Sequence, residues 1–287
     1  MSIDILQLRY STETFLALKL QKIFNFIYQF KKNDPNIARK IYYEAHLWET
    51  LNPILTHNLN LFLNKSNLPS NYGHAISERA VEIPWAIANI PTQPGKHYDA
   101  GSSLNFFSTI THPKMHNKQL YISNINPERY CFWQNSVSYL YHDLREPTFS
   151  DQYFDSITCI SVLEHVGLNN SQYTSNQKFH ENNFKDYLLC IKDFNRILKP
   201  NGVCLISLPY GKHRRLDWLQ IFDQNMLQEL LQAFSPTTHE LTYYKYAQNG
   251  WQVSTAEACS ECTYTKGYPQ QNYCVGAEAV VLIKMFK

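Results

Sequence analysis

The apolar positions in the first third of the chain recur at helical spacing. Between residues 4 and 64 they repeat every three or four positions, as in Leu16, Leu20, Ile23, Ile27 and Phe30. This period of about 3.6 residues is typical of an amphipathic helix. The pattern breaks at residues 33–35 and again at Pro53, where proline interrupts a helix. A polar loop over residues 64–76 and a short helix over residues 77–90 are predicted to follow.

From residue 97 the pattern changes to short apolar runs separated by turns and helices. We predict strands near residues 97–100, 119–124, 137–142, 155–161, 202–208, 240–247 and 279–286. Amphipathic helices are predicted over 182–198 and 223–233. Because strands and helices alternate, the pattern favours an α/β fold with a mostly parallel sheet covered on both faces. It also predicts two regions, a helical extension or cap over residues 1–92 and an α/β domain over residues 93–287.

Composition narrows the functional classes. The chain has 287 residues, 44% of them hydrophobic, which suits one large domain with an appendage. A net charge of +2 argues against bulk nucleic acid as a partner. No apolar run is long enough to span a membrane and no signal peptide is recognisable, so we expect a cytoplasmic protein. The seven cysteines, including Cys259 and Cys262, are expected to be free thiols, and no metal site is predicted.

Polar residues follow three of the predicted strands. Asp99 and Gly101 follow the first strand, and Asp143 ends the third. Glu164 and His165 follow the fourth. In an open parallel sheet the carboxyl ends of the strands form the ligand-binding edge, so these side chains are expected to meet there. Each of them also has a structural interpretation as a turn-forming or capping residue.

A further motif strengthens the pattern. The helix over 182–198 ends in Arg196-Ile-Leu-Lys-Pro-Asn-Gly202 before an apolar strand. Taken in order with Asp99-Ala-Gly101, Asp143-Leu144 and Leu163-Glu-His-Val166, it resembles the class I S-adenosylmethionine-dependent methyltransferases. The resemblance covers residues 97–210 and implies a Rossmann-like fold with a mostly parallel seven-stranded sheet and helices on both faces. Residues 78–85 also resemble a bacterial subgroup associated with polysaccharide or small-molecule biosynthesis.

The resemblance implies S-adenosylmethionine as the cofactor and positions for binding it. These positions are Asp99, Ala100, Gly101, Ser102, Asn124, Asp143, Leu144, Ser161 and Val162. Asp143 would accept a hydrogen bond from the adenine amino group. The family carries an acid at the end of the second strand, where this sequence has Asn124. An amide still bonds a ribose hydroxyl, although a charge-assisted bond is stronger.

Candidate residues for the chemistry lie near the same edge. A base beside the acceptor would remove a proton, and we predict His165 or His213 for this role. The predicted substrate-binding residues are Glu82, Trp85, Glu164 and Tyr210. The structural alternatives are a capping role for His165 and Glu164, a solvated loop for His213, and packing for Glu82, Trp85 and Tyr210.

Three functional hypotheses follow from the sequence. The first is an active methyltransferase, with O-methylation of a sugar or another small molecule expected and a homodimer contact or an acceptor-side cap formed by the N-terminal helices. The second is a binding or scaffolding protein on a decayed methyltransferase fold, suggested by Asn124 and the glycine-poor first loop. The third, a nicotinamide-dependent oxidoreductase, ranks last because the chain lacks a Gly-x-Gly-x-x-Gly loop.

Overall fold

A computed structural model describes residues 46–128, 130–146, 148–247, 250–264 and 276–287. The helical predictions for residues 4–45 lie outside these ranges. The first described segment is helical, as expected, over residues 46–53. A π-helical turn at Ile54–Asn58 and a short helix at Asn60–Leu63 follow it. The polar loop after residue 64 then leads to the helix that packs on the sheet.

An eight-stranded sheet forms the centre of the described structure. Its strands are β1 (Gly95–Ala100), β2 (Lys118–Asn124), β3 (Val137–Tyr141), β4 (Phe154–Ile160), β5 (Leu198–Pro209), β8 (Thr238–Ala247), β9 (Gly250–Ser254) and β10 (Ala279–Phe286). The spatial order is β3-β2-β1-β4-β5-β10-β8-β9. The strands from β3 to β5 run parallel, and β10 runs antiparallel to both of its neighbours, β5 and β8. The intervening β6 (Arg214–Arg215) and β7 (Gln220–Ile221) form a separate small ribbon.

The prediction of a mostly parallel Rossmann-like α/β sheet is confirmed. All seven predicted strands are present, and β9 adds an eighth as an antiparallel hairpin with β8. The predicted helices also form, each shortened or shifted by a few residues at its ends. They are α1 (Arg79–Asn89), α2 (Tyr187–Ile197) and α3 (Gln224–Phe234). The remaining short helical turns are Phe107–Ile110, Pro113–Met115, Trp133–Asn135, Leu163–His165, Ser171–Thr174, Gln177–Phe179 and Ala256–Cys259.

Alternation along the strands creates two hydrophobic cores, one on each sheet face. On β5, Val203 and Leu205 point to one core, while Cys204 and Ile206 point to the other. The helices α2 and α3 cover the second face, with Phe194 of α2 buried there. Helix α1 and the helical residues before it cover the first. Each face is therefore sealed from water by helices, as a parallel sheet requires.

The described N-terminal residues share the first core with the sheet. Leu51 and Trp85 are buried in the same cluster as β5 and β10. The indole Nε1 of Trp251 donates to the carbonyl of Ile76 at 2.9 Å, and the amide of Trp251 donates to the carbonyl of Tyr72 at 2.8 Å. Strand β9 thereby holds the segment before α1 against the sheet. The boundary predicted near residue 92 stays a prediction.

Among the described residues, no helix combines the length and the apolar character needed to cross a membrane.

Candidate active site

The carboxyl ends of four parallel strands bring the predicted cofactor residues to one edge. Strand β1 ends at Ala100, β2 at Asn124 and β4 at Ile160. Because β1 lies between β2 and β4, the loops after these strands are neighbours. The expectation that polar residues after these strands share one edge follows from this topology.

The turn after β1 requires glycine at its first position. Gly101 has φ +104°, and a Cβ built there would lie 2.2 Å from Cγ2 of Val162. The buried carboxylate of Asp99 accepts the amide of Leu104 at 2.8 Å and the hydroxyl of Thr158 at 3.1 Å. Burial raises the pKa of Asp99 to about 6. Asp99 and Gly101 therefore shape the loop, and direct contact of Asp99 with a cofactor stays a prediction.

Ser102, the next residue, leaves a polar atom unsatisfied. Its backbone is left-handed with φ 63°, and its hydroxyl oxygen is buried without a hydrogen-bond partner. Most buried hydroxyls in proteins are paired. An orphaned hydroxyl in the loop after β1 is the kind of group that a polar ligand at this edge would satisfy. The loop therefore suits the polar end of the predicted cofactor.

Asn124 does not act alone at the end of β2. Its Nδ2 donates to Oε1 of Glu128 at 2.6 Å, while its own Oδ1 accepts the amide of Ile125. The half-buried Glu128 thus places a carboxylate next to the position where the resemblance implies an acid. The sequence analysis missed Glu128, although an acid four residues after the strand was visible.

Asp143, predicted to contact adenine, is engaged by a neighbouring arginine. Arg145 reaches both oxygens of Asp143, at 2.6 Å from Nη2 to Oδ2 and 3.0 Å from Nε to Oδ1. Arg145 also bonds Asp186 at 2.7 Å and Glu181 at 2.9 Å. Burial acts to raise the pKa of Asp143, but the hydrogen bonds from Arg145 outweigh it and hold the pKa below its usual value. Leu144 packs beside the second core.

A cavity of about 190 Å³ opens next to this edge, beyond the ends of β4 and β5. Charged, aromatic and small side chains line it together. The lining residues are Glu78, Arg79, Ser161, Glu164, His165, Tyr173, Pro209, Trp218, Leu219, Tyr264 and Ala277. Of the predicted site residues, the structure brings Ser161, Glu164 and His165 into this cavity.

Glu82 organises the floor of the cavity without lining it. Its fully buried carboxylate accepts the hydroxyls of Ser161 at 2.6 Å and Ser207 at 2.7 Å. Its second oxygen pairs with Nη1 of Arg79 at 3.2 Å, and the same nitrogen donates to the carbonyl of Ile160. The prediction that Glu82 binds substrate directly therefore needs correction: it fixes the cavity's side chains from beneath.

Glu164 and His165 form the polar wall of the cavity. Glu164 is 3% exposed, and its Oε2 has no hydrogen-bond partner. Burial, with added repulsion from Glu82, raises the pKa of Glu164 well above its usual value. The Nδ1 of His165 lies 2.7 Å from the carbonyl of Trp218, so that nitrogen carries the proton and donates it. Burial lowers the pKa of His165 to about 4, which leaves Nε2 as an unprotonated acceptor.

Aromatic rings form a second wall, which adjoins His165. The rings of His165 and Trp218 stack with centroids 5.2 Å apart. Tyr264 meets Trp218 edge-on at 5.7 Å, and Tyr173 meets His165 edge-on, also at 5.7 Å. Tyr173, Trp218 and Tyr264 could not be recognised from the sequence, because they lie on three separate segments and share no motif. Glu78 and Arg79 also line the cavity, although the pattern of residues 78–85 did not predict a site there.

Three other predicted residues lie away from the cavity. His213 lines a separate depression with Phe184 and Arg215, and its Nδ1 contacts the carbonyl of Ile221. Tyr210 is buried against Tyr243, and its hydroxyl donates to Gln224. Trp85 is part of the first hydrophobic core. Substrate contacts for Tyr210 and Trp85 are not supported, because core packing occupies both rings.

The cysteines of the described ranges form neither disulfides nor a metal site. The six cysteines there are free, and Cys259 and Cys262 are buried. Within the same ranges, no group of three or more potential metal ligands comes together.

The central region of the chain is similar to a known protein family. Residues 99–206 match the family model described as a methyltransferase domain. This stretch runs from Asp99 at the end of β1 to Ile206 in β5, and includes the strand ends described above. No curated protein matches the chain.

Solved structures give only distant matches. A 1,6-didemethyltoxoflavin N1-methyltransferase from Burkholderia thailandensis, solved with S-adenosylhomocysteine, is 13% identical with a TM-score of 0.42; the alignment covers 68% of this chain and 72% of that one. The YcgJ protein of Bacillus subtilis is also 13% identical, with a TM-score of 0.44 and coverage of 72% and 97%. A possible histamine N-methyltransferase from Thermotoga maritima is 12% identical, with a TM-score of 0.44 and coverage of 84% and 100%. Similarity at this level carries no information about the acceptor of this chain.

Proposed function

We propose that this chain, whose residues 99–206 match a methyltransferase domain, uses S-adenosylmethionine to methylate a small molecule held in the cavity beyond β4 and β5. The sequence favours a hydroxyl group of a sugar or another small molecule as the acceptor. The finding that carries the proposal is the position of His165, a neutral imidazole whose Nε2 is available as a proton acceptor in a cavity beside the cofactor edge.

The cofactor supplies a methyl group on a positively charged sulfur, which makes it reactive toward nucleophiles. The residues proposed to hold it are the orphaned hydroxyl of Ser102, the Asn124–Glu128 pair and Asp143. Their donors and acceptors suit an amino acid end, a ribose and an adenine, in that order along the sheet edge. Val162 and Gly101 pack together between this edge and the cavity.

His165 is the proposed general base. Donation from its Nδ1 to the carbonyl of Trp218 fixes the tautomer, so Nε2 takes the proton of an acceptor hydroxyl. Nε2 lies 3.9 Å from Oε1 of Glu164, which is too long for a hydrogen bond and leaves its lone pair unused.

A small polar acceptor suits the size and lining of the cavity. About 190 Å³ lies below the range typical of drug-sized ligands, so a single ring or a short chain is the appropriate size. The ring of Trp218 offers a flat apolar surface, and the carboxylates of Glu78 and Glu164 accept hydrogen bonds. We also propose that the chain works in the cytoplasm, since its described cysteines are free thiols.

The test separates cofactor binding from transfer. Calorimetry with S-adenosylhomocysteine should show binding to the full chain, and formation of S-adenosylhomocysteine from the methyl donor should depend on an added acceptor. His165→Asn should lower kcat by about 10²-fold to 10⁴-fold and leave the cofactor affinity unchanged. His239→Asn, at an exposed position on β8, is the matched control. Full activity of His165→Asn would refute the role of His165, and no binding at millimolar ligand would refute the function.

One observation favours a second candidate, a protein that binds the cofactor without transferring its methyl group. An amide stands at the end of β2, where the resemblance implies an acid. This candidate predicts binding of S-adenosylhomocysteine with no turnover for any acceptor. Detection of acceptor-dependent turnover would exclude it.

A further inference from the structure

Among the described residues, the cavity is lined by more carboxyl groups than cationic groups. Glu78 and Glu164 line it, Glu82 lies directly beneath it, and Arg79 is the guanidinium among them. Arg79 pairs with Glu82 at 3.2 Å, and Glu82 also accepts two serine hydroxyls. Arg79 also acts to lower the pKa of Glu78 and Glu164, so among the described residues the two carboxyl groups that face the cavity share one guanidinium with Glu82.

Glu164 is the less well satisfied of these two. Its side chain is almost completely buried, and one carboxylate oxygen has no hydrogen-bond partner. Glu78, by contrast, accepts the backbone amide of Ala277 at 3.2 Å. A buried carboxyl group with a free oxygen is costly unless a ligand donates to it or neutralises it. Glu164 therefore marks a point in the cavity where a donor, and above all a cation, would bind favourably.

The aromatic wall favours the same kind of ligand. Tyr173, Trp218 and Tyr264 line the cavity together with Glu164. Aromatic faces attract cations, and the interaction is strongest where water is excluded. A neutral ring would use the aromatic surface but would leave the free oxygen of Glu164 without a hydrogen-bond donor. A positively charged nitrogen would interact favourably with both the carboxyl group of Glu164 and the aromatic rings.

We infer that the acceptor carries a positively charged amino group, bound between Glu164 and the rings of Trp218, Tyr173 and Tyr264. The inference rests on the proposed function, because it concerns the acceptor in the same cavity. It narrows the substrate class to small amino alcohols or amino-substituted sugars, with the ammonium group at Glu164 and a hydroxyl group toward Nε2 of His165. Glu164 is in this arrangement a specificity-determining residue.

Binding of two probes of equal shape tests the inference. Choline carries a quaternary nitrogen and a hydroxyl group, and 3,3-dimethylbutan-1-ol has the same shape with carbon in place of nitrogen. Titration calorimetry of the full chain with each probe, in the presence of S-adenosylhomocysteine, measures how much the positive charge contributes to the affinity. The measurement does not require turnover. We expect choline to bind about tenfold tighter or more, since a desolvated cation gains from both the rings and the carboxylate.

Two variants connect this preference to named residues. Glu164→Gln keeps the shape and should remove most of the preference for choline, while the affinity for S-adenosylhomocysteine stays unchanged. Trp218→Leu should weaken choline more than its neutral analogue. Unchanged cofactor affinity shows that each variant is folded. Lys185→Gln, at an exposed position on the other side of the sheet, serves as the control for surface charge.

The outcomes separate the inference from the proposed function. Equal binding of the two probes, tighter binding of the neutral probe, or no binding of choline overturns the inference, and the first two of these point to a neutral acceptor such as an uncharged sugar. A choline preference that depends on Glu164 supports the inference even if no turnover is found. In that case the proposed function fails and the cavity remains a cation site.

Discussion

Asn124 donates a 2.6 Å hydrogen bond to the carboxylate of Glu128. The amide at the end of β2 is thus coupled to an acid four residues later, at the place where the family resemblance implies an acid on the strand itself. We propose that Glu128 supplies the negative charge for the ribose hydroxyls, with Asn124 orienting it. An absent acid in the motif is therefore compatible with a working cofactor site.

This proposal predicts that Glu128→Gln weakens binding of S-adenosylhomocysteine by about tenfold, because a charge-assisted hydrogen bond becomes a neutral one. Isothermal titration calorimetry measures the change. Glu146→Gln, on an exposed neighbouring loop, is the control and should bind normally. An unchanged affinity in Glu128→Gln would mean that groups other than Glu128 bind the ribose hydroxyls.

Arg145 is predicted to stabilise the fold through three carboxylates. Arg145→Ala leaves Asp143, Glu181 and Asp186 without their shared partner, and should lower the free energy of unfolding by about 2 kcal/mol. Removal of Lys185 from its exposed pair with Glu229 should cost less than about 1 kcal/mol. Urea unfolding of both alanine variants makes the comparison. Similar losses for the two would show that the Arg145 cluster is no stronger than a surface pair.

The contribution of Arg145 to stability is predicted to depend on pH. The direction of this dependence follows from the pKa of Asp143, which lies below its usual value in the folded chain. The stabilisation from Arg145 is thus present above the unfolded pKa of about 3.9 and is lost as the pH falls through the lower folded value. The difference in stability between the native chain and Arg145→Ala should shrink in that acidic range.

His97 is predicted to make the protein less stable in mild acid. It is buried on β1, near Ser156 and Thr158 of β4, and burial together with nearby Lys118 lowers its pKa to about 3. Below about pH 6.5 the unfolded chain takes up a proton that folded His97 does not. This residue should therefore reduce stability by about 1.4 kcal/mol per pH unit between about pH 6 and pH 3.

Replacement of His97 by glutamine checks this prediction. Glutamine keeps hydrogen-bonding capacity and cannot titrate. Urea unfolding at several pH values should give a flatter profile for His97→Gln than for the native chain over the same acidic range. Equal slopes of stability against pH in the two proteins would mean that groups other than His97 cause the loss of stability in acid.

Cation affinity is predicted to rise with pH. Burial, reinforced by Glu82, raises the pKa of Glu78 to about 6; Arg79 and the amide of Ala277 act in the opposite direction, and Tyr264 packs nearby. A bound cation stabilises the ionised carboxylate, so choline should bind more tightly as the pH rises through about 6. Glu78→Gln should flatten this rise, as measured by calorimetry between pH 5 and pH 8. A rise that persists in Glu78→Gln would identify Glu164 as the titrating group.

The fold could be predicted from the sequence because its elements carry strong periodic signals. The apolar runs that became β4, β5 and β10 are buried on both faces, and α2 shows its apolar positions at helical spacing. Strand β9 was missed because it is five residues long and only its first two residues are buried. Its place depends on pairing with β8, which a local pattern does not contain.

The edge formed by the strand ends could be predicted from the sequence, whereas the cavity beside it could not. The carboxyl ends of parallel strands meet at one edge by topology. This is why Asp99, Asn124 and Asp143 could be predicted to lie on the same edge. Tyr173, Trp218 and Tyr264 lie on loops far apart in the chain, and only tertiary packing brings their rings together. Glu82 was predicted to bind substrate, but its burial beneath the cavity was not visible in the sequence.

The contact between Trp251 and Ile76 has a consequence for how the protein is made. The two residues are separated by 175 positions, so the segment ahead of the first strand leaves the ribosome long before its partner exists. Packing that depends on such distant contacts is slow and leaves apolar surface exposed in the meantime. Packing of this segment must therefore await translation of β9, and the sheet is complete only when β10 has followed, since β10 pairs with both β5 and β8.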